Sequence, residues 1–203
     1  MNRRALSQSL RHQAGRVEMA RAAIPVFARW GADDTRIEHL LEATGVSRRT
    51  FYKYFDSKED VLVALYEIAT RDLLSALNVS TSTRESPSVA GAIDAYLDFH
   101  ADNYDIARVL IEHAQRRESP LHPLRAAFRQ QLCSVLSHAV SAASGRRLDP
   151  FLFTTLISGL EGLSMELLER QPSASDLARA KRVVNGLFQV VLKGAQGLPQ
   201  DNA

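Results

Sequence analysis

Apolar residues follow helical spacing along almost the whole of this 203-residue chain, and no strand-like alternation extends beyond a few residues. Glycine (10) and proline (7) are scarce, while alanine, leucine and arginine are plentiful, which favours helices. The few proline and glycine positions divide the chain into segments because these residues end helices. The sequence therefore predicts an all-α protein. Helices are expected over about 13–30, from Thr35 to Gly45, from Ser47 onward, and over about 58–78, 88–103, 104–116, 121–144, 149–170 and 175–194.

Several chemistries are not expected from the residue types. Cys133 is the only cysteine, so neither an internal disulfide nor a thiolate zinc cage can form, and we expect it to be a buried apolar residue. No two of the histidines His100, His113, His122 and His138 stand at a metal-ligand spacing such as i,i+4. No P-loop, dinucleotide loop or serine-nucleophile elbow is present. We therefore predict no catalytic site, no metal and no cofactor.

Neither end of the chain nor its interior indicates a membrane protein. No stretch reaches the roughly eighteen apolar residues of a membrane span. The N-terminus "MNRRALSQSLRHQ" has arginines but no apolar core after them, unlike a secretory signal. We expect a cytoplasmic protein that makes no membrane contact.

The stretch "GVSRRTFYKYFDSKED", residues 45–60, contains the strongest local signals in the chain. Thr35 and Glu38 match the capping-box pattern at the start of the preceding helix. Gly45 suits the end of that helix, and Ser47 suits the cap of the next one. Two short helices joined by a tight glycine turn describe a helix-turn-helix, whose second helix enters the major groove of DNA.

A helical wheel separates the two faces of this second helix. Phe51 and Phe55 are four residues apart and share one face, which should pack on the other helices. Arg49 and Lys53 point roughly the opposite way, flanked by Thr50 and Tyr52, while Arg48 lies at the helix start. Arginine can read guanine bidentately, and lysine and tyrosine can hold phosphates. An ordinary solvated basic face is the alternative interpretation of this pattern.

The charge distribution agrees modestly with an anionic partner near the N-terminus. Formal net charge is only +2 for the whole chain. Residues 1–62 carry 11 Lys and Arg against 8 Asp and Glu, and residues 63–203 carry 14 against 15. The N-terminal segment is therefore where binding of nucleic acid is expected.

Residues 22–67, "AAIPVFARWGADDTRIEHLLEATGVSRRTFYKYFDSKEDVLVALYE", resemble the DNA-binding domain of the TetR/AcrR family of bacterial transcription regulators. The string "GVSxxTxYxYFxSKE" is highly specific, although the similarity covers under a quarter of the chain. Pro25 and Trp30 depart from the family pattern, and both bear on the first helix only. The resemblance implies a helical dimer that binds double-stranded operator DNA and responds to a small molecule of unknown class.

The resemblance also assigns residues and domains. It implies base contacts by Arg48, Arg49 and Thr50, phosphate contacts by Tyr52, Tyr54 and Lys58, and backbone contacts near Thr35 and Arg36. Together with Ser47 and Lys53 these form the predicted DNA-binding set. We predict a flexible arm over residues 1–12, a three-helix helix-turn-helix DNA-binding domain over 13–60 with a connecting helix over 58–78, a hinge over 79–87, and a C-terminal helical ligand-binding and dimerisation domain over 79–203.

The C-terminal helices carry an apolar seam with two interpretations. It forms either a dimer interface or the core of the monomer, and the resemblance favours the dimer because relatives usually pair their last two long helices. The predicted interface residues are Leu152, Leu156, Gly159, Leu160, Leu163, Leu167, Val184, Leu187 and Val191. The resemblance also implies a small ligand held inside the C-terminal helices, and the candidate lining residues are ones chosen for apolar bodies with polar tips. For each of them the alternative is a packing role. These are Tyr96, Phe99, His100, Tyr104 and Phe128.

Three hypotheses of function follow from these patterns. The first is a dimeric, ligand-responsive repressor, with an activator of the same family as its variant. The second is a helical enzyme that the N-terminal domain only tethers to DNA. The third is an interaction protein whose helix-turn-helix no longer binds DNA, which the intact face of Arg48, Arg49 and Lys53 argues against.

Overall fold

The computed structural model describes residues 3–81, 89–145 and 147–194, and these residues form helices joined by turns, without a strand. The all-α prediction is therefore confirmed. In chain order the helices are α1 (Arg3–Ala22), α2 (Ile24–Asp34), α3 (Ile37–Thr44), α4 (Arg48–Phe51), α5 (Lys58–Thr81), α6 (Val89–Asp102), α7 (Tyr104–Gln115), α8 (Leu121–Ser144), α9 (Pro150–Arg170) and α10 (Ala174–Gly194). The last five agree with the predicted segments to within one or two residues.

The first predicted helix is in fact two helices. α1 begins at Arg3, ten residues before the expected start, and a break at Ala23 separates it from α2. Pro25 lies in the first turn of α2, where a proline costs no hydrogen bond because that amide would have no intrahelical partner. Pro25 was expected in the interior of a helix over about 13–30, but it lies at the start of α2.

The helices pack into two compact units. Of the described residues, the first contains those up to 70 and those of 105–124, and the second contains those of 71–104 and those from 125 onward. The core of the first unit joins α1–α5 to α7 through large, fully enclosed side chains, among them Phe27, Leu40, Phe51, Phe55 and Leu62. The domain bounds drawn from the sequence stay predictions. The predicted hinge over 79–87 lies largely outside the described residues.

Polar contacts also hold the first unit together. Arg16 of α1 forms an ion pair with Asp60 of α5 at 2.5 Å, and this pair raises the pKa of the arginine and lowers that of the carboxyl. Arg116, just after α7, pairs with Asp33 at 2.6 Å. The start of α5 and the segment after α7 are thereby tied to α1 and α2.

The second unit has its own apolar core, formed by one face of each of α6, α8, α9 and α10 with the end of α5. Ile93 and Leu97 of α6 and Ile157 of α9 are almost completely enclosed. Within the described residues, α9 is the one helix long and apolar enough to cross a membrane by length and composition alone. Its Phe153, Leu156, Ile157 and Leu160 nevertheless belong to this core.

Candidate nucleic-acid interface

The turn between α3 and α4 has the geometry that the sequence predicts. Gly45 is in the left-handed conformation, with φ at 66°, and its N–H donates to the Leu41 carbonyl at 2.9 Å. Only glycine adopts this conformation without steric cost, so it ends α3 at this position. Ser47 then caps α4, since its Oγ accepts a hydrogen bond from the Thr50 N–H at 3.1 Å. These two predictions are confirmed.

The cap of α3 differs from the prediction. Thr35 and Glu38 do not form a capping box, because the capping position falls on Arg36. Thr35 is 1% exposed, and its hydroxyl donates to the Gly31 carbonyl. The Arg36 N–H instead donates to Nδ1 of His39 at 3.3 Å. A buried hydroxyl needs an acceptor nearby, and the end of α2 supplies one.

The helix α4 is shorter than expected, but its faces are as predicted. It has one turn, and the tight turn over residues 52–54 continues it with hydrogen bonds such as that from the Tyr54 N–H to the Phe51 carbonyl at 2.9 Å. Phe51 and Phe55 are each 1% exposed and pack together in the core. The opposite side therefore faces solvent.

Five exposed side chains form what we call the basic surface: Arg36, Arg48, Arg49, Tyr52 and Lys53. Arg49 and the ammonium group of Lys53 make no hydrogen bond or ion pair with the described part of the chain. Both cations are therefore available to an anionic partner without a prior contact having to break. Ser47 is also exposed and Thr50 is half-buried, and their hydroxyls lie 2.9 Å apart.

Arg48 differs from the other cations because it forms an ion pair with Glu38 of α3. Both side chains are more than half exposed. Backbone hydrogen bonding at the helix start and the Arg48 guanidinium together hold the pKa of Glu38 below its usual value. An anion that approaches Arg48 must compete with this carboxylate.

Three members of the predicted DNA-binding set have structural contacts. Thr35 is buried as described above. Lys58 donates to the carbonyls of Ala32 (2.9 Å) and Asp33 (2.6 Å), and so satisfies carbonyl groups at the end of α2. The half-buried ring of Tyr54 stacks on His12 of α1. The structure therefore brings the basic surface together and directs these three side chains towards other parts of the unit.

The basic surface has the donors that recognition of a duplex requires. Guanidinium groups can bind O6 and N7 of guanine in the major groove, and ammonium and phenol groups can bind phosphates. These donors lie on and beside a helix whose opposite face is fixed in a core. In this arrangement base edges can be read without large rearrangement of the backbone.

The predicted effector residues lie in the second unit. Tyr96, His100 and Phe128 are buried, and Phe99 and Tyr104 are half-buried. His100 Nδ1 donates to the Tyr96 carbonyl at 2.7 Å, and burial lowers the pKa of this histidine. A small cleft of about 10 Å³ adjoins the ring. It is lined by Leu97, His100, Ala101, Ser164, Leu167, Leu168, Pro172 and Leu177.

The predicted dimer residues divide between core and surface. Leu156, Leu160 and Val184 are buried in the core of the second unit, while Gly159 and Leu187 are exposed. The others are half-buried: Leu152, Leu163, Leu167 and Val191. Much of the seam thus packs inside one protomer, as the alternative interpretation had it.

Exposed apolar residues lie in and beside this seam. Leu187 belongs to the predicted interface set, Val183 and Val190 adjoin that set in the sequence pattern, and Phe151 was not predicted. Val183, Leu187 and Val190 form a stripe on α10 and are 61%, 55% and 68% exposed. Phe151 at the start of α9 is 79% exposed. Their spacing of four and three residues on α10 was visible in the sequence, but spacing alone does not tell which of two adjoining apolar stripes faces the core. Singly exposed apolar residues are common, whereas a stripe of this kind is typical of an interface.

Comparison with known proteins supports the interpretation of the N-terminal part. The family profile described as bacterial regulatory proteins, tetR family, matches residues 20–65. The nucleoid occlusion factor SlmA of Haemophilus ducreyi is 32% identical over 99 residues, which is 48% of this chain and 49% of that protein. The HTH-type transcriptional repressor SCO4008 of Streptomyces coelicolor is 26% identical over 98 residues, 48% of each. The chain thus spans about half the length of the curated relatives it matches.

Solved structures with the same fold match over both units. The regulator FadR from Bacillus subtilis, in complex with stearoyl-CoA, has a TM-score of 0.71 at 17% identity, covering 84% of this chain and 96% of that one. A transcriptional regulator of Pseudomonas aeruginosa has a TM-score of 0.71 at 15% identity, covering 89% and 91%. At these identities the likeness shows the fold.

Proposed function

We propose that the protein is a homodimeric transcriptional repressor, because residues 20–65 match the profile described as bacterial regulatory proteins, tetR family. It binds a palindromic operator through the basic surface and is released by a small-molecule inducer. The activity is binding rather than catalysis, in the cytoplasm and without a membrane partner.

The observation that carries this proposal is the basic surface beside a capped glycine turn. Arg49 and Lys53 are exposed, unpaired among the described residues and held on a helix whose other face is buried. Arg48 lies at the helix start, where it can reach a base edge. Tyr52 and Arg36 flank these groups and are placed to hold phosphates. Arg49 is the residue most favoured for base reading.

A second copy of the chain is the proposed partner of α9 and α10. The exposed stripe of Val183, Leu187 and Val190 supports this assignment, because an apolar stripe is covered when two copies pair about a two-fold axis. Gly159 and Gly162 of α9 are exposed, and a methyl group added at either would meet no atom within 4 Å. Another helix can therefore approach closely there. Paired recognition helices then reach successive major grooves, roughly 34–36 Å apart.

The cleft beside His100 is the proposed effector site, and its chemistry indicates the class of effector. The Nδ1–H of His100 donates to the Tyr96 carbonyl, and the surface that the cleft exposes is apolar. Apolar side chains form most of the lining. An uncharged, apolar molecule fits this lining. The cleft has room for about one water molecule, so entry requires Leu167 or Leu177 to move.

The proposed release depends on differential binding. An inducer shifts the dimer away from the DNA-binding geometry only by the difference in its affinity for the two states. A ligand that binds both geometries equally would leave the operator occupied.

Selection of genomic fragments by the purified protein tests the function. The best fragment is titrated at two salt concentrations, and a palindromic site with a steep salt dependence is expected. Arg49→Ala should cost about 1–3 kcal/mol of binding free energy and relax the preference at one base position. Arg147→Ala, an exposed arginine of the second unit, is the matched control and should bind normally. No preference for any fragment over bulk DNA would contradict the proposal.

The same purified protein and selected fragment distinguish two alternative functions. An activator would bind its fragment equally well, and transcription of the adjacent gene in a deletion strain would fall rather than rise. The similarity to SlmA favours nucleoid occlusion as a second candidate. Fragment binding with unchanged transcription of the adjacent genes would support that candidate.

A further inference from the structure

We propose that His12, Gly15 and Arg16 of α1 form a clamp that holds residues 48–55, the recognition segment, in the orientation that reads DNA. This inference rests on the proposed function and adds positioning residues to it. The three residues are separated by three and one positions, so they share one face of α1. None of them belongs to the predicted DNA-binding set.

His12 makes two contacts with the end of the recognition segment. Its Nε2–H donates to the Lys53 carbonyl at 2.9 Å. Its ring stacks on that of Tyr54, with centroids 4.7 Å apart and planes inclined by 21°. The carbonyl can only accept, so Nε2 carries the proton. One side chain thus fixes both a backbone group and an aromatic ring.

Arg16 holds the next residues. Its guanidinium donates to the Tyr54 carbonyl and to both carboxylate oxygens of Asp60, at 2.5 and 3.2 Å. It also lies 4.5 Å from the ring centroid of Phe55. Arg16 therefore joins the end of the recognition segment to the start of α5.

Gly15 allows this close approach. A methyl group added at this position would lie 3.0 Å from both Cε1 and Oη of Tyr54. The Tyr54 ring therefore rests directly against the backbone of α1. A side chain here would force the Tyr54 ring to shift from its present position against the helix.

The recognition segment needs such external support because it has little of its own. α4 is a single turn, and a helix this short is unstable without tertiary contacts. The carbonyls of Lys53 and Tyr54, in the turn that follows α4, receive donors from α1. The Lys53 backbone is thereby fixed while its side chain extends to the basic surface. An ordered segment loses less entropy when it binds.

The clamp is tested by comparing affinity for the selected fragment with affinity for bulk DNA, at two salt concentrations. His12→Ala should lower affinity for the fragment by about three- to ten-fold. Affinity for bulk DNA and the salt dependence should stay unchanged, since no phosphate contact is lost. His12→Gln keeps a donor near the position of Nε2 and should restore most of the fragment affinity. His12→Phe keeps the stacking ring and separates its contribution from that of the hydrogen bond.

A measurement without DNA keeps the clamp distinguishable from the proposed function. Hydrogen exchange of the amides of residues 52–55 should become about three- to ten-fold faster in His12→Ala and in Gly15→Val, because these variants loosen the segment. His138→Ala, an exposed histidine of α8, should leave exchange there unchanged. If the wild-type protein prefers no fragment over bulk DNA, the proposed function is contradicted, but the clamp is not.

Any one of three results in His12→Ala would overturn the clamp. The first is wild-type hydrogen exchange at residues 52–55, and the second is a wild-type ratio of fragment to bulk affinity. The third is a salt dependence reduced by about one counterion, which would make His12 a direct phosphate contact.

Discussion

The dimer assignment can be tested with two neighbouring residues of α10 that have opposite environments. Leu187 is 55% exposed, whereas Val184 is 6% exposed and belongs to the core of the second unit. Leu187→Ala should therefore weaken the dimer and leave the protomer stable. Val184→Ala should destabilise the protomer itself.

The magnitudes follow from the burial of each side chain. Full burial of a leucine contributes about 1.5–3 kcal/mol, so covering the exposed half of Leu187 contributes roughly 1 kcal/mol. The two-fold axis repeats the contact, which gives about 2 kcal/mol per dimer, or roughly a 30-fold change in the dissociation constant. Val184→Ala should lower the free energy of unfolding by about 2 kcal/mol through lost packing.

Sedimentation equilibrium measures the dimer dissociation constant of each variant. Urea unfolding measures protomer stability, at protein concentrations low enough for every variant to be monomeric, because association would add to the apparent stability. An unchanged dissociation constant for Leu187→Ala would refute the assignment of this stripe. A weaker dimer with undiminished protomer stability for Val184→Ala would show that the seam predicted from sequence is the interface after all.

Three further predictions concern the first unit. The Arg16 ion pair lowers the pKa of Asp60, so its stabilisation is present above the ordinary carboxyl pKa of 3.8 and is lost as pH falls through the lower folded-state value. Asp60→Asn should therefore lower the free energy of unfolding by about 1 kcal/mol at pH 7, and the variant and the wild type should become equally stable in acid. Thermal melts from pH 7 to pH 2 measure this, and an equal difference in stability at every pH would contradict it. Ser47→Ala removes the cap of α4 and should cost about 1 kcal/mol in urea unfolding, and an unaltered midpoint would count against the cap. Glu38→Gln releases Arg48 and should tighten fragment binding and steepen its salt dependence, measured by fluorescence anisotropy, whereas weaker binding would mean that Glu38 positions Arg48 productively.

Features that depend on a single helix or a single turn could be predicted from the sequence. Gly45 ends α3 because only glycine adopts its conformation freely, and Ser47 caps α4 through a hydrogen bond to a residue three positions away. Phe51 and Phe55 face the core because helical spacing places them together. Neighbouring residues determine each of these features, so no tertiary information was needed.

The sequence did not determine which apolar stripe of α9 and α10 faces inward. Val184 and Leu187 are three residues apart with nearly equal apolar character, and only packing of α10 against α6 and α9 places one in the core and the other in solvent. The capping position of α3 depended likewise on the carbonyl of Gly31, which lies at the end of another helix.

The sequence by itself thus determined the helical class, the helix-turn-helix and the identity of the exposed cations, since these depend on spacing within about ten residues. Tertiary structure alone decided that Lys58 caps α2 and that Glu38 forms an ion pair with Arg48. It also decided that His12 and Arg16 donate hydrogen bonds to the carbonyls of Lys53 and Tyr54. Most of these partners are between 25 and 41 residues apart along the chain. No local pattern encodes which distant donor meets which acceptor, because that pairing exists only once the helices have packed.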